Sequence, residues 1–220
     1  DRDGFQNRDA MTTEPPIHLV LCEGTDDQRV MEGLAAHAGI ADKLRFRSYA
    51  ESGTLKSFLV TIAKSPEFTR GGIGSILVTR DADDNYDACW QSVRDAARDA
   101  FAVDLPSPGQ WQQIPEGARV AAWINPAPGQ NGMLESLCLE AARDSHAEIF
   151  PCIDDFVSCV ETARGTPLHE KSRFYIWSIV AQGPGPKDRL SLARALEHLP
   201  PNWNSKAFDE LREILVAATS

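Results

Sequence analysis

Hydrophobic positions in this chain switch between short runs and helical spacings, and each switch marks an element. Ile17–Cys22 reads Ile-His-Leu-Val-Leu-Cys, an apolar run of strand length that stops at Glu23-Gly24-Thr25-Asp26-Asp27. Val30, Met31, Leu34 and Ala35 then share one face, which predicts a helix from about Asp26 to His37, capped by Thr25 or Asp26 and closed at Gly39. Leu44–Tyr49 alternates Leu44, Phe46 and Ser48 against Arg45, Arg47 and Tyr49, the pattern of a strand with one wet face near a sheet edge. Leu55, Phe58, Leu59 and Ile62 stripe a second helix. Gly71, Gly72 and Gly74 read as a loop, followed by a buried strand at Ile76, Leu77 and Val78. A strong amphipathic helix follows at Tyr86, Trp90, Val93, Ala97 and Phe101, broken by Pro106, Pro108 and Gly109. Ala118–Ile124 is a fourth strand, ended by Asn125-Pro126-Ala127-Pro128-Gly129, which cannot be regular structure.

Strands that alternate with helices in this way predict an α/β fold: an open, parallel, four-stranded sheet flanked by helices. From Asn131 the texture becomes helix upon helix. Met133, Leu134, Leu137, Cys138 and Ala141 form one stripe, and Ile149–Ala163, Pro167–Ala181, Lys187–His198 and Ser205–Ala217 supply others, separated by Gly183-Pro184-Gly185-Pro186 and Leu199-Pro200-Pro201. The expected organisation is a tag or upstream residue over 1–10, disordered; an α/β core over 11–130; and a helical extension over 131–220 packed on the sheet.

The chemistry gathers where strands end. In an open parallel sheet, ligands sit beyond the carboxyl ends of the strands, and this topology delivers Glu23, Asp81 and Asp83 to one rim although they lie far apart in sequence. Asp81 and Asp83 follow the central strand at alternating spacing, so in an extended backbone both carboxylates point one way and repel unless a cation lies between them. Asp26, Asp27 and Asp84 are near enough to serve as further ligands or as helix caps. Oxygen donors without a neighbouring His or Cys select Mg²⁺ or Mn²⁺ over zinc. Taken singly, Glu23-Gly24-Thr25-Asp26-Asp27 also reads as a turn and cap, Glu135 and Glu140 as helix-surface acids, and Lys171, Arg173, Lys187 and Arg189 as a solvated face. Trp123 reads as core, and none of the five histidines shows ligand spacing.

Composition narrows the classes. The chain has 220 residues, 42% hydrophobic, enough for a substantial core, and a net charge of −10, which argues against coating nucleic acid by electrostatics alone. An enzyme whose acids are neutralised by divalent metal remains compatible with that charge. The five cysteines contain no Cys-x-x-Cys pair and are expected to be reduced core thiols. The absence of an apolar run of about 20 residues, or of a basic start before an apolar segment, predicts a soluble cytoplasmic protein without membrane contact.

Leu-Val-Leu-Cys-Glu-Gly-Thr-Asp-Asp followed by Ile-Leu-Val-Thr-Arg-Asp-Ala-Asp-Asp resembles the Toprim domain, the Rossmann-like catalytic fold of type IA and II topoisomerases, bacterial primases and OLD-type nucleases. The resemblance is nearest to small, uncharacterised Toprim-related proteins allied to the OLD nucleases, through Trp123-Ile124-Asn125-Pro126 and Gly132-Met133-Leu134-Glu135. It covers Ile17–Glu140 and extends more weakly to Lys171-Ser172-Arg173. The loop after Pro126 departs from the pattern, because relatives more often carry an acid or amide pair there.

The resemblance implies a Mg²⁺- or Mn²⁺-dependent nuclease with two ions, used in defence against phage or mobile DNA. Glu23 would be a ligand or general base, Asp27, Asp81, Asp83 and Glu135 metal ligands, and Lys171, with Arg173, the grip on the substrate phosphate. In such sites two ions about 4 Å apart activate a water and stabilise the leaving oxygen. Implied partners are a nucleic acid, DNA rather than RNA, a second copy of the chain, and an ATPase on another chain, since no Gly-x-x-x-x-Gly-Lys-Ser/Thr loop is present. A topoisomerase is not expected, because the chain has no room for the separate tyrosine-bearing cleavage domain that strand passage requires. The alternatives are a catalytically silent module that binds a protein or nucleotide in a larger complex, and, less favoured, a phosphatase or receiver-like domain using Asp81.

Overall fold

A computed structural model describes residues 15–50, 53–182 and 201–220. The segment 1–10, the expected helix Lys187–His198 and the Gly183-Pro184-Gly185-Pro186 break lie outside those residues. The architecture is α/β. A five-stranded sheet runs in the order β2-β1-β3-β5-β4, with β1 (Ile17–Cys22), β2 (Leu44–Ser48), β3 (Ile73–Asp81) and β5 (Arg119–Asn125) parallel. The expected four strands are therefore the parallel ones. A fifth, β4 (Gln112–Gln113), adds an antiparallel edge too short and polar to carry a period of its own.

Strand alternation sorts the core into two layers. Ile76 and Val78 of β3, with Leu19, Leu21, Val120, Ala122 and Ile124, face α2 (Leu55–Ala63), α3 (Pro66–Thr69) and α4 (Tyr86–Phe101). Leu77, with Val20, Ala121 and Trp123, faces the other way, into α1 (Thr25–His37), α5 (Leu134–Ser145), α6 (Phe150–Arg164), α7 (Glu170–Gln182) and α8 (Asp209–Ala218). Successive residues on β1, β3 and β5 thus feed opposite faces of a sheet covered on both sides, which is why these strands read as apolar runs rather than alternations. Phe174 and Trp177 of α7 are fully buried in the second layer, so the helices after residue 131 share a core with the sheet.

Several expectations are corrected. Gly74 belongs to β3 rather than to a preceding loop: a β-carbon there would lie 3.0 Å from the His18 ring and from Pro16, so the glycine allows close strand packing. Asn125 is the last residue of β5, so the irregular segment begins only at Pro126. Cys22, Cys89 and Cys138 are buried free thiols, but Cys152 and Cys159 are exposed, because they fall off the Ile153 and Val157 stripe of α6.

Gly33 sits inside α1 because Trp203 packs over it; an added β-carbon would be 2.7 Å from the indole Cζ2. Gly33→Ala is therefore expected to destabilise the protein by about 1 kcal/mol, overpacking outweighing the gain in helix propensity. Urea unfolding checks this, and in a Trp203→Ala background the same substitution should stabilise.

Candidate functional site

β1, β3 and β5 end side by side, and the loops that leave them are tied together. Ala82 N–H donates to the Asn125 carbonyl at 3.0 Å, and Asp83 and Gly132 exchange backbone hydrogen bonds at 2.8 Å in each direction. Asn131 clamps the same junction, accepting from Tyr86 N–H at 2.9 Å and donating to the Asp84 carbonyl at 2.9 Å. Asn85, rather than an aspartate, caps α4 through Ala88 N–H. The rim is thus a braced platform.

Asp81, the last residue of β3, sits at its centre. Its Oδ1 accepts from Asn125 Nδ2 at 3.1 Å and from Leu134 N–H, the first turn of α5, at 3.0 Å. One carboxylate therefore joins β3 to β5 and occupies the positive end of α5. Even so, burial, followed by the neighbouring charges of Asp27 and Glu135, pushes Asp81 up to about 8. Burial also raises Glu23, Asp27 and Glu135, and each is raised further by at least one other acid of the group. The sequence-predicted acids are therefore within electrostatic reach of one another.

Their placement differs in detail. Glu23, just past β1, lies 3.6 Å from Arg80 Nε, and Asp27 Oδ2 accepts from Gly24 N–H at 2.7 Å, closing the start of α1. Asp83 is not in an extended backbone: β3 stops at Asp81 and Asp83 has φ 48°, so the alternation that would align the two carboxylates fails. Asp83 still acts on Glu23 and Asp27 through its charge. Glu135, in the first turn of α5, is 2% exposed, with Lys171 Nζ 3.6 Å from its Oε1 and no hydrogen-bond partner for its Oε2. Lys171 is half-exposed. Burial pulls it down, but Glu135, Asp81 and Asp27 outweigh that and leave it above the ordinary lysine value.

Arg173 does not share this role. Its Nη2 pairs with Glu161 Oε1 at 2.6 Å, and its Nε donates to the Leu168 carbonyl at 3.4 Å, which fastens α7 to α6. Trp123 is core, as expected, and Glu140 is exposed. Two participants carried no assigned role in the sequence reading: Asn125, whose amide holds Asp81, and Arg80, which faces Glu23. Arg80 had a visible signal, a charged residue inside a buried strand next to its acid. Asn125 had none.

Among the described residues, no three acid, histidine or cysteine side chains converge closely enough to hold a metal ion as they stand. Each carboxylate leans on its own partner: Glu23 on Arg80, Asp27 on the Gly24 amide, Glu135 on Lys171. The donor set nonetheless fits a hard cation. It offers carboxylate oxygens only, a buried and unpartnered Oε2, and an Asp81 that burial and the neighbouring acids push up despite its two hydrogen bonds. Burial pushes Cys22 up to about 12 and raises Cys138 well above the ordinary thiol value, so without a metal both remain protonated thiols.

Residues 17–217 match the family model described as protein of unknown function (DUF3226). No curated protein matches the sequence. Among solved structures, a hypothetical protein from Pyrococcus horikoshii OT3 is 15% identical, with 92% of this chain and 93% of that one covered at a TM-score of 0.57, which is a likeness of fold. The C-terminal region of the OLD protein of Xanthomonas campestris pv. campestris is 12% identical over 91% of this chain and 94% of that one, at a TM-score of 0.43, too loose to argue from.

Proposed function

The chain belongs to the DUF3226 family, whose description assigns no function, and from its strand-end site we propose a divalent-metal-dependent phosphodiesterase acting on nucleic acid, a nuclease of the OLD, Toprim-like kind. The observation that carries this reading is Glu135: a carboxylate 2% exposed, its Oε1 3.6 Å from Lys171 Nζ and its Oε2 unpartnered, within electrostatic reach of Asp81. A buried carboxylate oxygen without a partner is costly, and a cation would relieve both it and the mutual repulsion of the acids around it.

Glu23, Asp27, Asp81, Asp83 and Glu135 would hold Mg²⁺ or Mn²⁺, two ions in this reading. Bound there, the metal would make a water nucleophilic near neutral pH and offset charge on the leaving oxygen. Asp81 is oriented by Asn125 and the Leu134 amide, so its carboxylate is fixed before any ligand arrives. Glu23, raised above the usual carboxylate range mainly by burial, suits a proton acceptor better than an exposed glutamate would. Lys171, cationic and half-exposed beside Glu135, would grip the substrate phosphate. A DNA substrate, a role in defence against mobile DNA, and an ATPase supplied by a partner chain or assembly with a second copy belong to the same proposal.

The competing reading is a silent module that binds a protein or nucleotide. It is favoured by the lack, among the described residues, of a ready-made triad of ligands. Calorimetric titration of Mn²⁺ separates the two. The metal reading expects saturable binding, weakened at least about tenfold by Glu135→Gln, and metal-dependent nicking of plasmid DNA. A wild-type protein that takes up no Mn²⁺ overturns it.

A further inference from the structure

A cleft of about 1030 Å³ opens between α2 and α4, lined by Glu23, Tyr49, Thr54, Arg80, Gln91 and Ser92 among others. Arg80 forms part of its wall where the cleft meets the rim. Its Nη1 donates to Ser92 Oγ at 3.1 Å, which fixes the guanidinium from α4. Its Nε is buried and makes no hydrogen bond, and Glu23 Oε2, at 3.6 Å, is too far to accept one. The other charged groups lining the cleft are already engaged: Lys56 with Asp99 at 2.6 Å, and Asp95 with Arg98 at 3.0 Å and with Gln91.

We propose that this cleft is a nucleotide subsite in which Arg80 binds the phosphate adjoining the reacting phosphodiester. The proposal rests on the phosphodiesterase reading of the rim. A guanidinium presents parallel N–H donors that match two phosphate oxygens, and the Arg80 side chain, partly exposed, lines the cleft while Ser92 fixes one end of its guanidinium. Among the described residues lining the cleft the cations are Arg80 and Lys56, and Lys56 is held by Asp99 beside a further acid, Asp95, which suits one phosphate and its nucleoside rather than a duplex groove. The volume is ample for a mononucleotide. Thr54, Gln91 and Ser92 supply hydroxyl and amide groups beside it. In this arrangement the reacting phosphate would lie by Asp81 and its neighbour by Arg80, with Glu23 between.

The probe is thymidine 3′,5′-bisphosphate, titrated calorimetrically into the full chain in EDTA, with thymidine and inorganic phosphate as comparisons. Saturable binding of the bisphosphate is expected, at least about tenfold tighter than thymidine or phosphate alone. Arg80→Ala should weaken it at least about tenfold, Arg80→Lys less, and Ser92→Ala by a few-fold. Arg80→Lys and Ser92→Ala keep the test open should Arg80→Ala not fold. The proposal is overturned by a wild type that ignores the bisphosphate, or by Arg80 variants that bind it as the wild type does. Since no metal is present, bisphosphate binding through Arg80 in a protein that takes up no Mn²⁺ would reject the metal reading and keep the subsite.

Discussion

Asp81→Asn is expected to abolish Mn²⁺ binding, to cut metal-dependent cleavage at least about a hundredfold, and to make the metal-free protein more stable. The amide oxygen of Asn can still accept from Asn125 Nδ2 and Leu134 N–H, so the contacts that join β3, β5 and α5 survive the change. What goes is a half-buried charge held against Asp27 and Glu135. Relieving it stabilises the fold, whereas a metal centre loses the ligand at its middle, a loss on the scale of removing one group that acts directly on transition-state charge. Calorimetry, a plasmid assay and thermal unfolding read the three effects. Adding Asp83→Asn should extend the loss without unfolding the protein, because Asp83 is exposed and its backbone pairs with Gly132 irrespective of its side chain. A variant that binds Mn²⁺ and cuts as the wild type does would remove Asp81 from the site. One that loses activity together with stability would make it a structural residue.

The layout of the sheet was readable because strand and helix periods differ. Apolar runs at Ile17–Cys22 and Ile76–Val78 can be satisfied only by a sheet covered on both faces, and the acids that end them must then share a rim. Local geometry at the rim was less accessible. Asp83 reads as a continuation of the strand, yet its amide and carbonyl are claimed by Gly132, forty-nine positions on in the chain, and the backbone turns left-handed to meet them. Long-range partners also decide Arg173, which reads as free beside Lys171 but is bound to Glu161, and Asn125, which reads as the start of a loop but ends a strand and holds Asp81. Lys171 and Glu135 do meet, at 3.6 Å, and periodicity alone would not place α7 against α5. In each case what was missed depends on which residue comes opposite, and a single sequence carries no information about that unless the residue type is out of place, as Arg80 is in β3.

The stability of the metal-free protein should fall as pH rises from about 6.5 to about 8, and Mn²⁺ should reverse the trend. Burial, aided by neighbouring carboxylates, raises Asp81, to about 8, and raises Glu23, Asp27 and Glu135 above their ordinary values. A raised acid keeps its proton in the folded state after the unfolded chain has lost it. Its stabilising effect is therefore complete below the unfolded value near 4 and is lost as pH climbs through the folded one. In that window Asp81 alone contributes a slope of up to about 1.4 kcal/mol per pH unit. His18 acts in the opposite sense, since burial and the Arg119 charge lower it from 6.5, but above that pH it is neutral in both states. Asp154 and Glu161, lowered by Arg143 and by the Leu168 amide, work only at more acid pH. Thermal unfolding in EDTA at steps from pH 6.5 to 8.5 should show the decline, and Asp81→Asn should flatten it. In the proposed site Mn²⁺ would bind the ionised carboxylates, so its stabilisation should be larger at pH 8 than at pH 6.5. A wild type whose stability rises across this window, or an Asp81→Asn protein with the same slope, would mean that the charge at the end of β3 is already neutralised by the fold, and the reason for placing a cation there would be gone.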